Sequence, residues 1–285
     1  MGALRRGLVR LQEHYERVRA EPPFETEPTS TDRRALDLNL PYPLRQPNRG
    51  IAGLDREVQD PLRALGLLPC TATRLGAAAG DGKLLFLARR QLPTGGGADE
   101  GPSSTAREEQ VVVKFCMRPF GSPTAPGEVV HRLWAERGLA PQLHGVLRLP
   151  GGIDMVVMEY LDPEAGWVSL RDDDLPQLEA LQFEGVVQAA LATGHALRTG
   201  DGMATIHGDC RSNNIMVRRT SGRKPVPEDV RFVDFDWAGI DGQARCPTFI
   251  NQEALWAEGV ETGALLTQEL ESATLSKNLE ARRAS

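Results

Sequence analysis

Three polar residues close together in the sequence have the types and spacing that phosphoryl transfer requires. Asp209 follows His207 by two positions, and Asn214 follows Asp209 by five. An apolar segment, 230–233, then leads directly to Asp234. One carboxylate can orient an attacking hydroxyl, while an amide oxygen and a second carboxylate can hold Mg²⁺ on the phosphates of ATP. We therefore predict that Asp209 is catalytic and that Asn214 and Asp234 bind the metal.

A small β-hairpin is predicted between Asn214 and Asp234. Residues 215–217 are apolar, 230–233 are apolar except for Arg231, and both are rich in β-branched side chains; the intervening 218–228 contain a glycine and two prolines. Strands often end in an acidic residue, so Asp234 alone would indicate nothing. The ordered set of histidine, two aspartates and asparagine, separated by apolar strands, is not expected by chance.

These motifs resemble the catalytic core of the protein-kinase-like superfamily in its His-Gly-Asp form, 207–209, which is typical of the aminoglycoside and choline kinase branch. The segment 207–260 also resembles kinase-like proteins that are widespread in filamentous fungi. The resemblance extends over about residues 70–265. It implies an α+β, bilobal fold with a β-rich N-terminal lobe and a shortened α-helical C-terminal lobe. It also implies ATP and Mg²⁺ as cofactors, and a hydroxyl group of a protein or small molecule as acceptor.

Lys114 interrupts the apolar run 111–115, where burying a lysine is costly unless an anion accompanies it. The resemblance implies that this lysine lies on the third strand and reaches the α- and β-phosphates of ATP. The alternative is an edge strand with an outward-pointing lysine. Glu128, near the start of the helix predicted over 127–138, is the expected ion-pair partner of Lys114, and Glu136 is the alternative.

The nucleotide is expected to have two further contacts. An apolar strand over 153–161 precedes the catalytic loop, and the resemblance implies that backbone groups of Glu159, Tyr160 and Leu161 bind the adenine edge. Gly80 and Gly82 lie between two predicted strands and offer backbone amides to the phosphates. Their spacing does not match the G-x-G-x-x-G pattern, so a plain hairpin turn is the alternative.

Three regions are predicted along the chain. Residues 1–50 form a helix over 3–20 and a partly disordered linker; 51–161 form the N-terminal lobe, with a disordered insertion near 93–109; and 162–285 form the C-terminal lobe. A helix over 183–197 is predicted to direct five residues toward the core: Val186, Val187, Ala190, Leu191 and Ala196. A last helix is predicted over 265–279.

Composition excludes several classes of function. The net charge of −6 gives no indication of a nucleic-acid surface, and no apolar run approaches the length of a membrane span. The four cysteines are far apart, which indicates reduced thiols and neither a disulfide framework nor a zinc site. Acidic residues among the first twenty-one argue against a transit peptide. We expect a cytoplasmic protein, with the nucleus as a possible second location.

Two alternatives to an active kinase stay open at this point. The poor glycine loop and the short segment after Gly239 favour a pseudokinase, a nucleotide-binding or scaffold module without transfer activity. A paralogue that assembles through its N-terminal helix is the other alternative. Arg211 is expected to balance the charge of Asp209, to contact the phosphoryl group or to form a structural salt bridge. Asp236 is expected to be a solvated turn residue or a further metal ligand.

Overall fold

A computed structural model of the chain describes residues 64–67, 73–75, 84–92, 107–117, 126–149, 152–171, 175–220, 222–248, 250–251 and 253–284. These residues all belong to one unit, Arg49–Ser285. Several predictions lie outside the described residues: the helix over 3–20, the linker before residue 51, Gly80, Gly82 and most of the insertion over 93–109.

An antiparallel sheet of five strands dominates the first lobe of the described structure. The strands lie in the order β1-β2-β3-β5-β4. Their bounds are Thr73–Arg74 (β1), Leu84–Gln91 (β2), Glu108–Met117 (β3), Leu143–Leu149 (β4) and Ile153–Glu159 (β5). Strand β3 begins two residues inside the predicted insertion.

Strand β3 lies in the middle of this sheet, so the alternative of an edge strand for Lys114 is wrong. Lys114 is paired with Leu85 of β2 on one side and with Val156 of β5 on the other. Val111 and Val113 are fully buried, as the alternation of side chains along a central strand requires. Lys114 is also buried, and its ammonium group therefore needs an anionic partner inside the protein.

Helix α1, Pro126–Glu136, lies between β3 and β4 in sequence and packs against the second lobe. It ends where Gly138 adopts φ +67°, a left-handed conformation that glycine accepts readily. Trp134 on α1 is fully buried and donates from its indole nitrogen to the hydroxyl of Thr205 at 3.1 Å. A Cβ on Gly194 would lie 2.5 Å from the Trp134 ring, so the absence of a side chain there permits this close packing.

The second lobe is built around two long helices, α2 (Gln177–Ala196) and α3 (Gln268–Ala284). A three-stranded sheet has the order β6-β8-β9, and a two-stranded sheet pairs β7 with β10. These strands are Trp167–Ser169 (β6), Thr205–Ile206 (β7), Ile215–Arg218 (β8), Val230–Phe232 (β9) and Gly239–Ile240 (β10). The predicted hairpin is present as β8 and β9, which pair Ile215 with Phe232.

One buried apolar cluster unites the helices of this lobe with α1. The members from α1, α2, β9 and α3 include Trp134, Phe183, Phe232, Leu275 and Leu279. The α+β fold with a β-rich first lobe and a helical second lobe, as predicted, is therefore present. No helix within the described ranges combines the length and apolar character needed to cross a membrane.

The helix bounds differ from the predicted ones. Helix α2 begins six residues before the predicted start, because its first turns consist of good helix formers whose leucines face solvent and give no buried periodicity: Leu178 and Leu181. The prediction that Ala196 faces the core is wrong, since α2 ends there and Leu197 is buried instead. Helix α3 begins three residues later and ends five residues later than predicted.

Candidate active site

The catalytic loop leaves β7 through His207 and Gly208, whose contacts fix the backbone before Asp209. The His207 ring donates from Nε2 to the carbonyl oxygen of Val233 at 2.9 Å, and its Nδ1 accepts from the Asp209 amide at 3.4 Å. Gly208 has φ +87°, and a Cβ on it would lie 2.4 Å from the carbonyl oxygen of Trp237. The glycine of the His-Gly-Asp motif is therefore required sterically here.

Asp209 is buried and is held by Arg211. Its two carboxylate oxygens accept from Nε and Nη2 of Arg211 at 2.5 and 2.7 Å. The guanidinium lies 4.3 Å from the centre of the Trp256 ring, which stacks on Trp237. Of the roles expected for Arg211, the salt bridge that balances the charge of Asp209 is thus present. The fork-shaped contact also fixes the orientation of the Asp209 carboxylate.

Asn214 closes the loop and lies beside the strand that leads to Asp234. Its Nδ2 donates to the carbonyl oxygen of Asp209 at 3.0 Å, and its Oδ1 accepts from Asn213 at 3.1 Å. The backbone amide of Val233 donates to the carbonyl oxygen of Asn214 at 2.9 Å. The hairpin therefore brings the asparagine next to the backbone that carries Asp234, although twenty residues separate them in the sequence.

Asp234 and the turn after it have an unusual backbone. Asp234 has φ 71° and ψ 61°, and no other residue except glycine has a positive φ within the described ranges. A single turn of 3₁₀ helix, Phe235–Trp237, follows. The buried Phe235 ring stacks on His131 at 4.5 Å and meets His207 edge-on at 4.6 Å. These contacts lock the turn onto α1 and onto the catalytic loop.

Lys114 lies across the site and forms ion pairs with both Asp234 and Asp236. Burial alone would lower the pKa of Lys114, but the two carboxylates outweigh burial and raise the pKa above its ordinary value. Lys114 is therefore a protonated, buried cation at neutral pH. The structure brings Lys114 and Asp234, two of the predicted site residues, into direct contact, and Asp236 is part of the same cluster.

The predicted ion pair between Lys114 and Glu128 is absent, which corrects the sequence-based assignment. Glu128 instead contacts Arg148 on β4, and it lies 3.4 Å from Arg132 one turn further along α1. Arg148 also donates to Asp154 at 2.6 Å. Two arginines therefore satisfy the Glu128 carboxylate.

The predicted adenine-binding segment follows β5. Glu159 is joined to Gln142 by two hydrogen bonds of 2.9 Å, one through its backbone amide and one through its carboxylate. Tyr160 is half-buried and Leu161 is buried, and both follow directly after the strand that pairs with β3. This location is compatible with contact to a nucleotide whose phosphates reach Lys114. The adenine-binding role of the three residues stays a prediction.

Glu271 on α3 is a residue that sequence reasoning missed. Its carboxylate accepts from the amides of His207 and Gly208 at 3.2 and 2.6 Å, and from His195 Nε2 at 2.7 Å. Glu271 therefore holds the backbone of the catalytic loop at His207 and Gly208. Its signal in the sequence is its position on the buried stripe of α3, which also contains Thr274, Leu275, Asn278 and Leu279.

The donor atoms of the site fit Mg²⁺. This ion prefers oxygen ligands and is usually held by one or two protein side chains together with phosphate oxygens. Asp234 offers a carboxylate and Asn214 offers an amide oxygen, and Asn214 is already oriented by hydrogen bonds to the loop. Within the described ranges no group of three or more His, Cys, Asp or Glu side chains could hold a metal by itself. Phosphate oxygens would have to complete the coordination.

Comparison with known families finds a similarity for the segment that contains the catalytic loop. Residues 170–241 match the model of the ecdysteroid kinase-like family, and this segment contains the catalytic loop, the hairpin and Asp234. The matched segment is kinase-like, and the α+β, bilobal fold agrees with the expected resemblance to the protein-kinase-like superfamily. The match leaves out Lys114, which the geometry of the sheet alone brings to the site.

One solved structure and the curated sequences complete the comparison. The kinase PK-1 from Cydia pomonella granulovirus, whose structure is known, is 14% identical in sequence to this kinase-like protein, and the two structures superpose with a TM-score of 0.48. The similarity covers 80% of this chain and 74% of the viral chain. No curated protein sequence matches.

Proposed function

We propose that this kinase-like protein uses ATP and Mg²⁺ to transfer the γ-phosphate to a hydroxyl group. The contact of Lys114 with Asp234 is the observation that carries the proposal, because it joins residues 120 positions apart. A phosphate-binding lysine and a metal-binding carboxylate must be neighbours, since both act on the same triphosphate. A lysine with a purely structural role in a central strand would not require Asp234 in particular as its ion-pair partner.

Each polar residue has one role in the proposed reaction. Asp209 accepts a hydrogen bond from the acceptor hydroxyl and aligns it with the γ-phosphorus. Asp234 and Asn214 hold Mg²⁺, whose charge neutralises the phosphates when it is bound. Lys114 positions the α- and β-phosphates, and backbone groups at 159–161 bind the adenine. The protein accelerates transfer by positioning and electrostatics and forms no covalent intermediate.

The acceptor is proposed to be a small-molecule alcohol. The family that matches residues 170–241 is named for kinases that resemble ecdysteroid kinases, and ecdysteroids are hydroxylated small molecules. A polyhydroxylated steroid and other small alcohols are therefore the first acceptors to screen, before peptides. We place the reaction in the cytoplasm, where ATP and reduced thiols coexist.

A second candidate function is nucleotide binding without transfer. The contact of Arg211 with both carboxylate oxygens of Asp209 favours it, because a base with both oxygens occupied has less capacity to accept a substrate hydroxyl. An active enzyme requires Asp209 to accept the acceptor hydroxyl while it keeps part of its contact with Arg211. The two candidates therefore predict the same ATP binding and differ only in transfer.

Thermal unfolding with and without ATP and Mg²⁺ tests the proposal. We expect ATP with Mg²⁺ at saturating concentration to raise the melting temperature of the wild type by about 5 °C. Asp234→Asn should remove most of this rise, while Asp201→Asn, at an exposed aspartate in the turn after α2, should preserve it. No Mg²⁺-dependent rise in the wild type at millimolar ATP would refute the proposal.

Transfer of radioactive phosphate from labelled ATP separates the two candidates. For an active kinase, we expect labelled product from the wild type, and none from Asp209→Asn even though that variant keeps the ATP-dependent rise in melting temperature. Binding of ATP and Mg²⁺ by the wild type, without product from any acceptor and without release of phosphate to water, would favour the second candidate.

A further inference from the structure

Lys114 needs a carboxylate partner that is not itself occupied by the metal. Its side chain is only 8% exposed, and a buried ammonium group without an anion is strongly unfavourable. Asp234 is one partner, but under the proposed function Asp234 coordinates Mg²⁺. A divalent cation on that carboxylate repels the ammonium and weakens the contact. A second carboxylate is therefore required to hold Lys114 in place while the nucleotide is bound.

Glu128 does not supply this carboxylate. It is bound to Arg148 and Arg132. The helix that carries it cannot easily shift, because a Cβ on the neighbouring Gly127 would lie 2.3 Å from the carbonyl oxygen of Phe235. The first turn of α1 is thus packed directly on the backbone of the turn after Asp234. Moving Glu128 toward Lys114 would require breaking that packing and leaving an arginine without its partner.

Asp236 supplies the second carboxylate for Lys114. The left-handed backbone of Asp234, followed by the 3₁₀ turn Phe235–Trp237, directs two carboxylates two positions apart to the same ammonium group. The intervening Phe235 is buried among aromatic rings and fixes the turn. The Asp236 side chain is 44% exposed, so it keeps its charge at little desolvation cost.

We propose that Asp236, and not Glu128, is the positioning residue that holds Lys114 against the phosphates of the nucleotide. The inference rests on the proposed function, because it assigns the orientation of a phosphate-binding lysine. It also replaces both roles that the sequence suggested for Asp236, a solvated turn residue and a further metal ligand. Asp236 acts through Lys114 and does not itself touch the phosphates.

Calorimetric titration of ATP in Mg²⁺ buffer, in the wild-type and Lys114→Met backgrounds, distinguishes a lysine anchor from a metal ligand. We expect Asp236→Asn to weaken ATP binding about fivefold in the wild type, as for a partly exposed ion pair, and to cause no further loss in Lys114→Met. In EDTA, where Asp234 carries no metal and can hold Lys114 alone, Asp236→Asn should have a smaller effect. Asp236→Glu should restore most of the affinity in Mg²⁺. Glu128→Gln should weaken binding much less, and Glu136→Gln, at the exposed end of α1, should not change it. A loss of equal size in the Lys114→Met background would make Asp236 a metal ligand and overturn the inference.

Unfolding in urea tests the same contact without nucleotide. In a double-mutant cycle, Lys114→Met combined with Asp236→Asn should destabilise the protein by less than the sum of the single substitutions. Lys114→Met combined with Glu128→Gln should be additive. If the wild type binds no ATP, the proposed function fails, and this cycle still decides whether Asp236 holds Lys114. Additive effects at 114 and 236, or coupling between 114 and 128, would overturn the inference.

Discussion

Asp234 adopts a backbone conformation that costs free energy for any residue with a side chain. A left-handed φ of 71° in an aspartate is unfavourable by about 1 kcal/mol. The surrounding contacts explain why the protein keeps it. This conformation lets Phe235 enter the aromatic cluster while Asp234 and Asp236 on either side reach Lys114. The local strain is therefore part of the arrangement that assembles the charged cluster.

Gly208 is a second residue at which the backbone constrains the choice of side chain. With φ +87° and a carbonyl oxygen 2.4 Å from the position of a Cβ, alanine would have to displace either the loop or the turn at Trp237. We expect Gly208→Ala to lower the free energy of unfolding by about 2–4 kcal/mol and to reduce transfer strongly, because Asp209 is the next residue. Urea unfolding and initial rates measure both effects.

The matched control for Gly208→Ala is Gly185→Ala. Gly185 lies within α2, and a Cβ there would have no atom within 4 Å. Alanine in a helix is favoured over glycine by about 0.5–1 kcal/mol, so this variant should be more stable than the wild type and equally active. An equal stability loss in the two glycine variants would show that the steric argument at Gly208 is wrong.

Helix α3 serves as the support for the catalytic loop. Gln268 in its first turn donates to the carbonyl oxygens of His195 and Thr205 at 2.8 and 3.1 Å. Three residues later, Glu271 binds the loop amides and the His195 side chain. The end of α2, strand β7 and the loop are thus held by one face of one helix. The Glu271 contacts to the loop amides are buried and charge-assisted, so this one helix can position Asp209.

Replacing Glu271 by glutamine tests this role of α3. Three donors converge on the carboxylate, and a single amide oxygen cannot accept from all of them. We expect Glu271→Gln to cost about 2–3 kcal/mol of stability, because a buried donor loses its acceptor. The kcat should fall roughly tenfold or more through misplacement of Asp209, whereas the KM for ATP should change little. Steady-state kinetics and urea unfolding provide these values.

Glu269→Gln is the control for this variant, since Glu269 lies in the same first turn of α3 but faces solvent. It should behave as the wild type in both measurements. A rise in the KM for ATP that is as large as the fall in kcat would contradict a role of Glu271 confined to the loop.

At the scale of the whole molecule, α1 belongs to the core of the helical lobe although it lies between two strands of the sheet, β3 and β4, in sequence. Trp134 packs against Phe232 and Phe235 with ring centres 5.2 and 5.7 Å apart, and it is bonded to Thr205. The sheet lobe carries Lys114 and the helical lobe carries Asp234. Their contact therefore depends on a helix that is packed into the second lobe.

This division explains which parts of the site were predictable from sequence. Asp209, Asn214 and Asp234 lie close together in the chain, with strand-forming segments between them, so their spacing was enough to single them out as candidates, and the structure places them near one another. The partner of Lys114 depends on how two lobes meet, and no local pattern distinguishes Glu128 from Asp236. Which of the two carboxylates pairs with Lys114 is determined by tertiary packing.

His131 connects the same elements and makes the stability of the whole molecule depend on pH. It stacks on Phe235 and donates from Nε2 to the carbonyl oxygen of Pro141 at 2.9 Å. Burial lowers the pKa of His131 from its ordinary value near 6.5 to about 4. The unfolded chain therefore binds a proton between these two pH values that the folded chain does not bind. Folding is consequently weakened as the pH falls from 6.5 toward 4.

We expect this one residue to remove about 3 kcal/mol of stability between pH 7 and pH 4, in addition to the effect of the carboxylates. His131→Phe preserves an aromatic ring against Phe235 but cannot be protonated. The variant should be less stable than the wild type at pH 7, because the hydrogen bond to Pro141 is lost, and its stability should fall less steeply on acidification. Urea unfolding at several pH values measures both curves. Parallel curves would mean that His131 is protonated equally in the folded and unfolded chains, and that its burial does not exclude the charge.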